Sequence, residues 1–457
     1  MTKKSTETTA PKNRSTTNKT VGVNDINNND LSSTEILPVA GGGILDRRLF
    51  LKRSLIFTTA TLITESSVEA AAEGISPTNS GQSPSMLKPG NTFSNYGLPS
   101  PYESQTIRWV SANAMADGNG VSWCPLHELE GIITPNGLHY ERHHNGVPDI
   151  DPANHQLLIH GLVERPLTFS IDDLKRYPME SRICFVECGG NSNAGWNKRP
   201  VQAAAGHIHG LVSCSEWTGV PLSILLHEAG IRPNASWLIA EAADGVAMNI
   251  SIPVEKAMDD AILALYQNGE RIRPENGYPL RLLLPGWEGV TNVKWLRRLQ
   301  LTDQPVMSRN ETAKYTELMP SGKSRQFTFE MEAKSLITSP CAGQEMHGAG
   351  YYQITGLAWS GKGKITKVEV SADGGKTWAD SELQEPVLSK SFTRFRIPWK
   401  WDGSLAVIKS RATDETGYVQ PERDVLVKER GRHGYFHYNA IVSWEIAAEG
   451  YVSYVYA

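Results

Sequence analysis

The stretch ICFVECGGNS, residues 183–192, contains two of the five cysteines in the 457-residue chain. Ile, Phe and Val followed by Gly-Gly favour a strand that ends at Cys188. On such a strand Cys184 and Cys188 lie roughly 13 Å apart, at about 3.3 Å per residue. Since a disulfide needs Cα atoms closer than about 7 Å, they neither pair nor share one zinc ion. The pattern predicts one functional thiol, Cys188, with Cys184 in the core.

Other cysteine chemistries lack their motifs. The sequence contains neither C-x-x-C nor C-x-x-C-H, which argues against a thioredoxin-like pair, a zinc ribbon and a covalently attached c-type haem. A structural cysteine in the core is the alternative interpretation of Cys188. The pattern leaves open whether the remaining cysteines pair: Cys124, Cys184, Cys214 and Cys341.

The overall composition is that of a soluble globular protein. Hydrophobic residues make up 40% of the chain and charged residues 21%, and the formal net charge is −4. This balance argues against a nucleic-acid-binding protein, which is usually strongly basic.

The first 72 residues are predicted to lie outside the fold. Residues 1–40 are rich in Thr, Asn and Ser, which is typical of disorder. Asp46-Arg47-Arg48-Leu49-Phe50-Leu51-Lys52 then precedes the short apolar run 55–64 and small residues at 70–72. We interpret this as a twin-arginine export signal with a periplasmic destination, although a basic surface helix is the alternative. Neither this run nor any later one is long and apolar enough to predict a membrane span.

Sequence patterns divide the rest of the chain into four parts. Residues 73–109 are rich in Pro, Ser and Gly and predict an extended arm. Residues 110–304 mix strand and helix patterns, residues 305–428 show short strands with regular turns, and residues 429–457 form an aromatic tail. The fold class is therefore α+β, with a mixed α/β domain followed by a β-sandwich.

Individual elements can be predicted within these parts. Strands are expected at 157–163, 182–188 and 279–286, and an amphipathic helix at 220–231 that ends at Gly230. In the second part Val368 and Val370 alternate with polar residues before a turn at Asp373-Gly374-Gly375. We predict no helix between 305 and 428.

Several stretches resemble the sulfite oxidase family of molybdopterin enzymes. Cys188-Gly189-Gly190-Asn191 is similar to the family's molybdenum-ligand motif, usually C-A-G-N-R-R. Further counterparts occur in the same order from about residue 90 onward: TPNGLHYERHHNGVP, SCSEWTGVPLSILLHEAG, AADGVAMNISIP, YPLRLLLPGWEGVTNVKWLRRLQL and KYTELMP. Within the family, LPGWEGVTNVKWLRRLQL, SRATDETG and HYNAI…YVYA resemble the catalytic subunits of sulfane (sulfite) dehydrogenases of the Sox thiosulfate-oxidising system.

The resemblance implies a fold and a cofactor. It implies a molybdopterin domain followed by an immunoglobulin-like dimerisation domain, and molybdenum bound by molybdopterin with Cys188 as the protein ligand, a soft thiolate that suits this metal. The positions that match cofactor contacts are Arg142, His144, Asp244, Ser251, Arg281, Asn292 and Lys294. His144 has the alternative of a core histidine and Asp244 that of a turn cap. Arg281 and Lys294 lie in apolar runs and need anionic partners, such as the phosphate of the cofactor.

The resemblance also implies catalytic residues. Arg142 would bind a sulfur oxyanion, and Tyr315 would donate a hydrogen bond or proton, unless it is only a packed aromatic. Asn193 replaces the family's second substrate arginine, which would weaken binding of free sulfite and make room for a substrate carried on a protein thiol. His207 and His209 are candidates for proton transfer or for contact with a partner.

The resulting hypothesis is a molybdenum dehydrogenase that oxidises sulfane sulfur on a carrier-protein cysteine persulfide. Because the chain has no haem motif, we expect a separate cytochrome c subunit to accept the electrons, and a homodimer within a heterotetramer. A free-sulfite dehydrogenase is the first alternative, and a reductase of sulfoxides or nitrate on the same fold is another. The alternative from a different class is a molybdenum-free scaffold for sulfur-carrier proteins.

Overall fold

A computed structural model describes residues 38–46, 86, 87, 89, 90, 92–431 and 433–457. Arg47, Arg48 and the apolar run of the predicted export signal therefore lie outside the described residues. Most of the predicted arm that is described, residues 92–108, runs without strands and is largely exposed. Among the residues described, no helix has the length and apolar character needed to cross a membrane.

The first half of the fold contains three sheets. One five-stranded sheet has the order Asn249–Pro253, Trp237–Ala242, Leu296–Thr302, Gln156–Gly161 and Leu167–Ser170, and it contains the parallel pair formed by its third and fourth strands. A second has the order Glu270–Arg271, Ile262–Gln267, Val212–Pro221 and Glu180–Glu187, with Arg281–Leu283 paired to Ile262–Gln267. The third consists of Trp109–Ala112, Gly120–Trp123 and Glu141–His143.

Short helices cover these sheets: Ile171–Leu174, Ala205–His209, Leu222–Ala229 and Val254–Asp259. Leu222–Ala229 buries one apolar stripe and stops at Gly230, whose φ of 71° lies in the left-handed region. This confirms the predicted helix and its end. The 3-10 turns of the described chain are Gly41–Gly43, Pro101–Glu103, Leu126–Glu128, Asn136–Leu138, Asn193–Trp196, Pro274–Asn276 and Gly289–Thr291.

The second half is a β-sandwich, as predicted. One sheet has the order Pro38–Ala40, Ile44–Leu45, Thr393–Trp401, Gly350–Trp359 and Lys334–Ser339, with Glu382–Leu383 paired to Thr393–Trp401. The other has the order Ala379–Asp380, Ile365–Ser371, Ala406–Asp414, Ser443–Ile446 and Val452–Val455. The two sheets share one hydrophobic core, in which Val368 and Val370 are fully buried. A small hairpin joins Glu317–Leu318 to Ser324–Arg325.

One prediction for this half was wrong. The structure has a π-helix at Asn310–Lys314 and an α-helix at Arg423–Arg430, where no helix was predicted. In the aromatic tail, Ser443–Ile446 and Val452–Val455 complete the second sheet of the sandwich. The rings of Trp444 and Tyr454 are buried there, so the tail packs on its own chain.

Candidate active site

A cavity lies beside Cys188. Its polar and aromatic wall comes from six segments of the chain: His139, Tyr140, Arg142, His143, His144, Cys188, Asp244, Glu275, Asn276, Arg281, Asn292, Lys294, Trp295 and Tyr315. The structure thus brings together eight of the residues predicted from sequence: Arg142, His144, Cys188, Asp244, Arg281, Asn292, Lys294 and Tyr315.

Cys188 follows the last residue of strand Glu180–Glu187, and its N–H donates to the Leu211 carbonyl at 2.9 Å. A Cβ on Gly189 would lie 1.7 Å from a carboxylate oxygen of Glu288, so a larger residue here requires the Glu288 side chain to move. Burial raises the pKa of the Cys188 thiol to about 11. The free thiol is therefore protonated at neutral pH, and a bound metal ion would have to displace that proton.

None of the other four cysteines lines the cavity. Cys184 is buried in the core four residues earlier on the strand, and all five cysteines are free. Within the described part of the chain, no three His, Cys, Asp or Glu side chains are grouped to hold a metal ion. A metal held here would have to take most of its ligands from a cofactor.

Three cations reach the cavity without a carboxylate partner. Arg142, Arg281 and Lys294 form no ion pair with any described residue. Lys294 instead contacts the carbonyls of Arg142 and Glu275 at 3.2 and 3.1 Å. Burial, with Arg281 nearby, lowers the pKa of Lys294 well below its ordinary value.

Arg281 shows most directly that an anion fits. Its Nη1 donates to the Asn276 carbonyl at 2.9 Å and its guanidinium lies 5.1 Å from the centre of the Trp217 ring, but its buried Nε has no partner. A buried cation with a free donor is costly unless an anion pairs with it. The residues present therefore fit the phosphate and pterin of a molybdopterin.

The cavity histidines are neutral at physiological pH. Burial lowers the pKa of His139 and of His143 to about 3 and that of His144 to about 4. His144 Nδ1 lies 3.2 Å from an Arg142 nitrogen, so His144 orients this guanidinium without adding charge. His139 and His143 were missed from sequence, although both lie in the quoted segment TPNGLHYERHHNGVP.

Asp244 and Asn292 have structural partners as well as cavity positions. Asp244 Oδ1 accepts the Met248 N–H at 2.9 Å, which is the turn cap considered as its alternative. Asn292 accepts the Leu284 N–H at 2.8 Å and donates to the carbonyls of Trp287 and Glu288. Both side chains shape the backbone around the cavity.

Tyr315 follows the π-helix Asn310–Lys314 and contacts the Phe436 ring, with the centroids 5.3 Å apart. Burial raises its pKa above the ordinary value, and Cys188 adds to this shift. The phenol therefore stays protonated at neutral pH and can donate a hydrogen bond into the cavity.

Four predicted residues do not line the cavity. Ser251 is buried in a strand, where its N–H donates to Glu311 and its Oγ accepts the Val306 N–H. Residues 188–192, between the strand and the next 3-10 turn, form the Cys188 loop. Asn193 begins the 3-10 turn after this loop and is half-buried. His207 is exposed and packs against the rings of Trp109 and His127.

The predicted contact of His209 with a partner protein is wrong. Its ring has no exposed surface, and its Nδ1 contacts Ser192 Oγ at 2.7 Å. A side chain without exposed surface cannot contact a partner protein, so the docking role fails for His209. Its place is under the Cys188 loop, among buried groups that sequence reasoning missed.

Two of those groups come from the β-sandwich and the tail. Lys334 Nζ contacts both Glu187 and Ser192, one residue before Cys188 and four after it. His437 N–H donates to the Gly189 carbonyl at 2.8 Å. The loop is therefore closed from the second half of the chain.

Comparison with known proteins gives matches to a molybdopterin domain and to a dimerisation domain. The model of the oxidoreductase molybdopterin binding domain matches residues 144–310, and that of the Mo-co oxidoreductase dimerisation domain matches residues 325–443. The crystal structure of the sulfane dehydrogenase SoxCD from Paracoccus pantotrophus superposes with a TM-score of 0.79 and 44% identity, covering 82% of this chain and 97% of that one.

Two curated relatives are larger than the matched region. Mitochondrial sulfite oxidase of Mus musculus is 30% identical over 318 residues, which are 64% of this chain and 58% of that protein. NADH nitrate reductase of Solanum lycopersicum is 32% identical over 342 residues, which are 65% of this chain and 37% of that protein. With the cavity, the single thiol of Cys188 beside it and both domain matches, the chain belongs to the sulfite oxidase family of molybdopterin oxidoreductases.

Proposed function

We propose that this chain is the catalytic subunit of a molybdenum-dependent sulfane dehydrogenase. It oxidises sulfane sulfur carried on a cysteine of a partner protein and passes the electrons to a cytochrome c. The observation that carries this proposal is that Cys188 lines a cavity in which Arg142, Arg281 and Lys294 have no carboxylate partner among the described residues. The 44% identity to a sulfane dehydrogenase supports the substrate class.

The residues of the site would have different roles. Cys188 would bind molybdenum, and Arg281 and Lys294 would hold the anionic end of the molybdopterin. Bound molybdenum would supply two-electron oxidation with transfer of oxygen from water. Arg142, held by His144 and by the carbonyl of His143, would orient the anionic sulfur, and Tyr315 would keep a proton at the cavity wall.

The residues in and beside the Cys188 loop favour a carrier-bound substrate over free sulfite. Gly190 lies beside the exposed ring of Tyr435, and Asn193 adds no charge. A neutral asparagine at position 193 attracts a doubly negative small ion less than an arginine would. Each oxygen atom added from water to the sulfur releases two protons and two electrons, and these electrons require an acceptor such as a cytochrome c.

The first experiment is molybdenum content by elemental mass spectrometry on the full protein made in a host that synthesises the cofactor. About one atom per chain supports the enzyme. No molybdenum, with tight binding of a carrier protein, would instead support the scaffold alternative. Turnover should then be compared between a carrier persulfide and free sulfite, with reduction of cytochrome c as the readout. Faster turnover of sulfite would favour the sulfite dehydrogenase.

We also propose export to the periplasm through the twin-arginine route. The support is the sequence Asp46-Arg47-Arg48-Leu49-Phe50 and the small residues at 70–72. Replacement of both arginines by lysine should leave the precursor unprocessed inside the cell, as fractionation and immunoblotting would show. Processing at the normal rate would contradict this route.

A further inference from the structure

Residues just before the twin arginines are bound to the β-sandwich. Pro38–Ala40 and Ile44–Leu45 form a hairpin, and Ile44 pairs with Trp399 at the edge of strand Thr393–Trp401. Ile44 and Leu45 have no exposed surface, and Ile44 belongs to the hydrophobic core of the sandwich. This short segment is therefore packed as part of the domain.

The three glycines between the two short strands fit the sandwich closely. A Cβ on Gly41 would lie 2.2 Å from an Asp373 carboxylate oxygen, one on Gly42 2.4 Å from the Ala372 carbonyl oxygen, and one on Gly43 2.0 Å from the Lys400 carbonyl oxygen. Gly42 and Gly43 also have φ values of 69° and 90°, which favour glycine. A flexible linker would not need such a fit.

Hydrogen bonds fix the same turn. The Gly41 N–H donates to Thr377 Oγ1 at 2.7 Å, and the indole N–H of Trp399 donates to the Gly42 carbonyl at 2.5 Å. The binding site is built from the turn around Ala372 and Asp373 and from the free edge of the strand. Since that edge carries Trp399, the segment also covers an aggregation-prone surface.

The position of this segment in the chain suggests its use. Arg47 follows Leu45 by two residues, so the Cα atoms of the two are at most about 7 Å apart. The proposal that follows rests on the proposed twin-arginine export. The pair Arg47-Arg48 thus follows the packed segment in sequence, separated from Leu45 only by Asp46.

We propose that residues 38–45 are an internal docking segment that competes with the export receptor for the leader. While the segment is docked on the folded sandwich, the arginine pair is held back, and its release is needed before the receptor can bind. By mass action, the fraction of precursor available for export falls as docking becomes tighter. The segment thereby delays export of the folded precursor.

Full-length precursor tests both parts of this inference. Gly42→Val should abolish docking, because the new side chain has neither space nor a suitable φ. Hydrogen exchange should show protected amides at Gly41 and Ile44 in the wild type and their loss in this variant. In pulse-labelled cells the variant should be processed about threefold faster or more, since the lost hydrogen bonds are each worth about 0.5–1.5 kcal/mol.

Three further variants make each outcome decisive. Val39→Ser changes an exposed residue of the same segment and should keep both protection and processing rate. Thr377→Val removes one hydrogen bond on the sandwich side and tests the same point if Gly42→Val does not fold. Lost protection with unchanged or slower processing would overturn the competition, and unprotected amides in the wild type would overturn docking. Processing of a precursor with both arginines replaced by lysine would refute twin-arginine export alone, because exchange still reports docking.

Discussion

Lys334 and Glu187 form a buried ion pair that joins the β-sandwich to the strand carrying Cys188, with Nζ and Oε1 3.3 Å apart. Their side chains are 1% and 2% exposed. Glu187 also accepts hydrogen bonds from Asn191 and from the indole of Trp359 at 2.9 and 2.6 Å. The second domain thus holds the loop that carries Cys188.

Removing one partner of this pair should lower the free energy of unfolding much more than removing both charges. Lys334→Met leaves the Glu187 carboxylate buried without a cation, which typically costs about 3–5 kcal/mol of unfolding free energy. The double variant Lys334→Met/Glu187→Gln should recover a large part of that loss. Chemical denaturation of both variants and the wild type measures the difference. Equal loss in the single and double variants would show that the charge pair does not matter.

Cys188→Ser should abolish turnover, because a serine hydroxyl replaces the soft thiolate that molybdenum prefers. The fold should persist, since only one atom changes at a half-buried site. The matched control is Cys184→Ala, four residues earlier on the same strand, which should keep turnover. Turnover and circular dichroism check both variants, and activity like the wild type in Cys188→Ser would remove the ligand assignment.

Asn193→Arg should lower the KM for free sulfite by about two- to fivefold, the effect of one added, solvent-screened charge pair. Asn193 is half-buried beside the loop, so the added charge would lie partly in solvent. Asn193→Gln is the neutral control and should leave KM unchanged. Steady-state kinetics decide, and a KM that stays constant or rises in the arginine variant would contradict the charge argument.

Lys294→Met should have opposite effects with and without cofactor. In cofactor-free protein the buried ammonium lies near Arg281 and Arg142, which lower its pKa together with burial, so removing it should preserve or raise the melting temperature. With cofactor, losing a charged hydrogen bond to an anion should weaken binding about ten- to a hundredfold. Thermal melts and molybdenum content measure the two effects. A lower melting temperature with full molybdenum occupancy would contradict both.

The charged form of His437 should contribute to stability in a way that depends on pH. Burial opposes its charged form, but the carboxylates of Glu332 and Glu288 prevail and raise its pKa to about 10. A raised folded-state pKa stabilises the protein fully below the unfolded value of about 6.5, and the gain is lost as pH rises to about 10. The advantage of wild type over His437→Gln in unfolding free energy should therefore shrink between these values. His433→Gln, at an exposed site, is the matched control.

Local patterns made part of this structure predictable. The β-branched and aromatic residues before Gly189 indicated a strand that ends at Cys188, and Gly230 marked the end of a helix. Helix Arg423–Arg430 escaped because it is polar on almost every side and buries only Leu426 and Arg430. Its apolar residues Val425, Leu426 and Val427 are consecutive, and periodicity cannot assign so short an apolar run to a helix rather than a strand.

The partners of the Cys188 loop were beyond sequence reasoning for a different reason. Lys334 lies 147 residues from Glu187, and no spacing rule links such positions. His207 and His209 are two residues apart in one short helix, yet one is exposed and the other buried. Only the packing of Trp444 and Tyr454 around His209 decides this difference.

The closure of this loop by the end of the chain also sets a time order in synthesis. His437 bonds to Gly189, and the hydroxyl of Tyr456 bonds to the Ala194 carbonyl. At roughly 5–20 residues per second, the ribosome needs about 12–50 s to add the roughly 250 residues between Gly189 and His437. During that interval Cys188 has been made but its surroundings are incomplete. A nascent chain therefore passes through a stage with an open thiol loop, and the finished cavity exists only after translation has passed the tail.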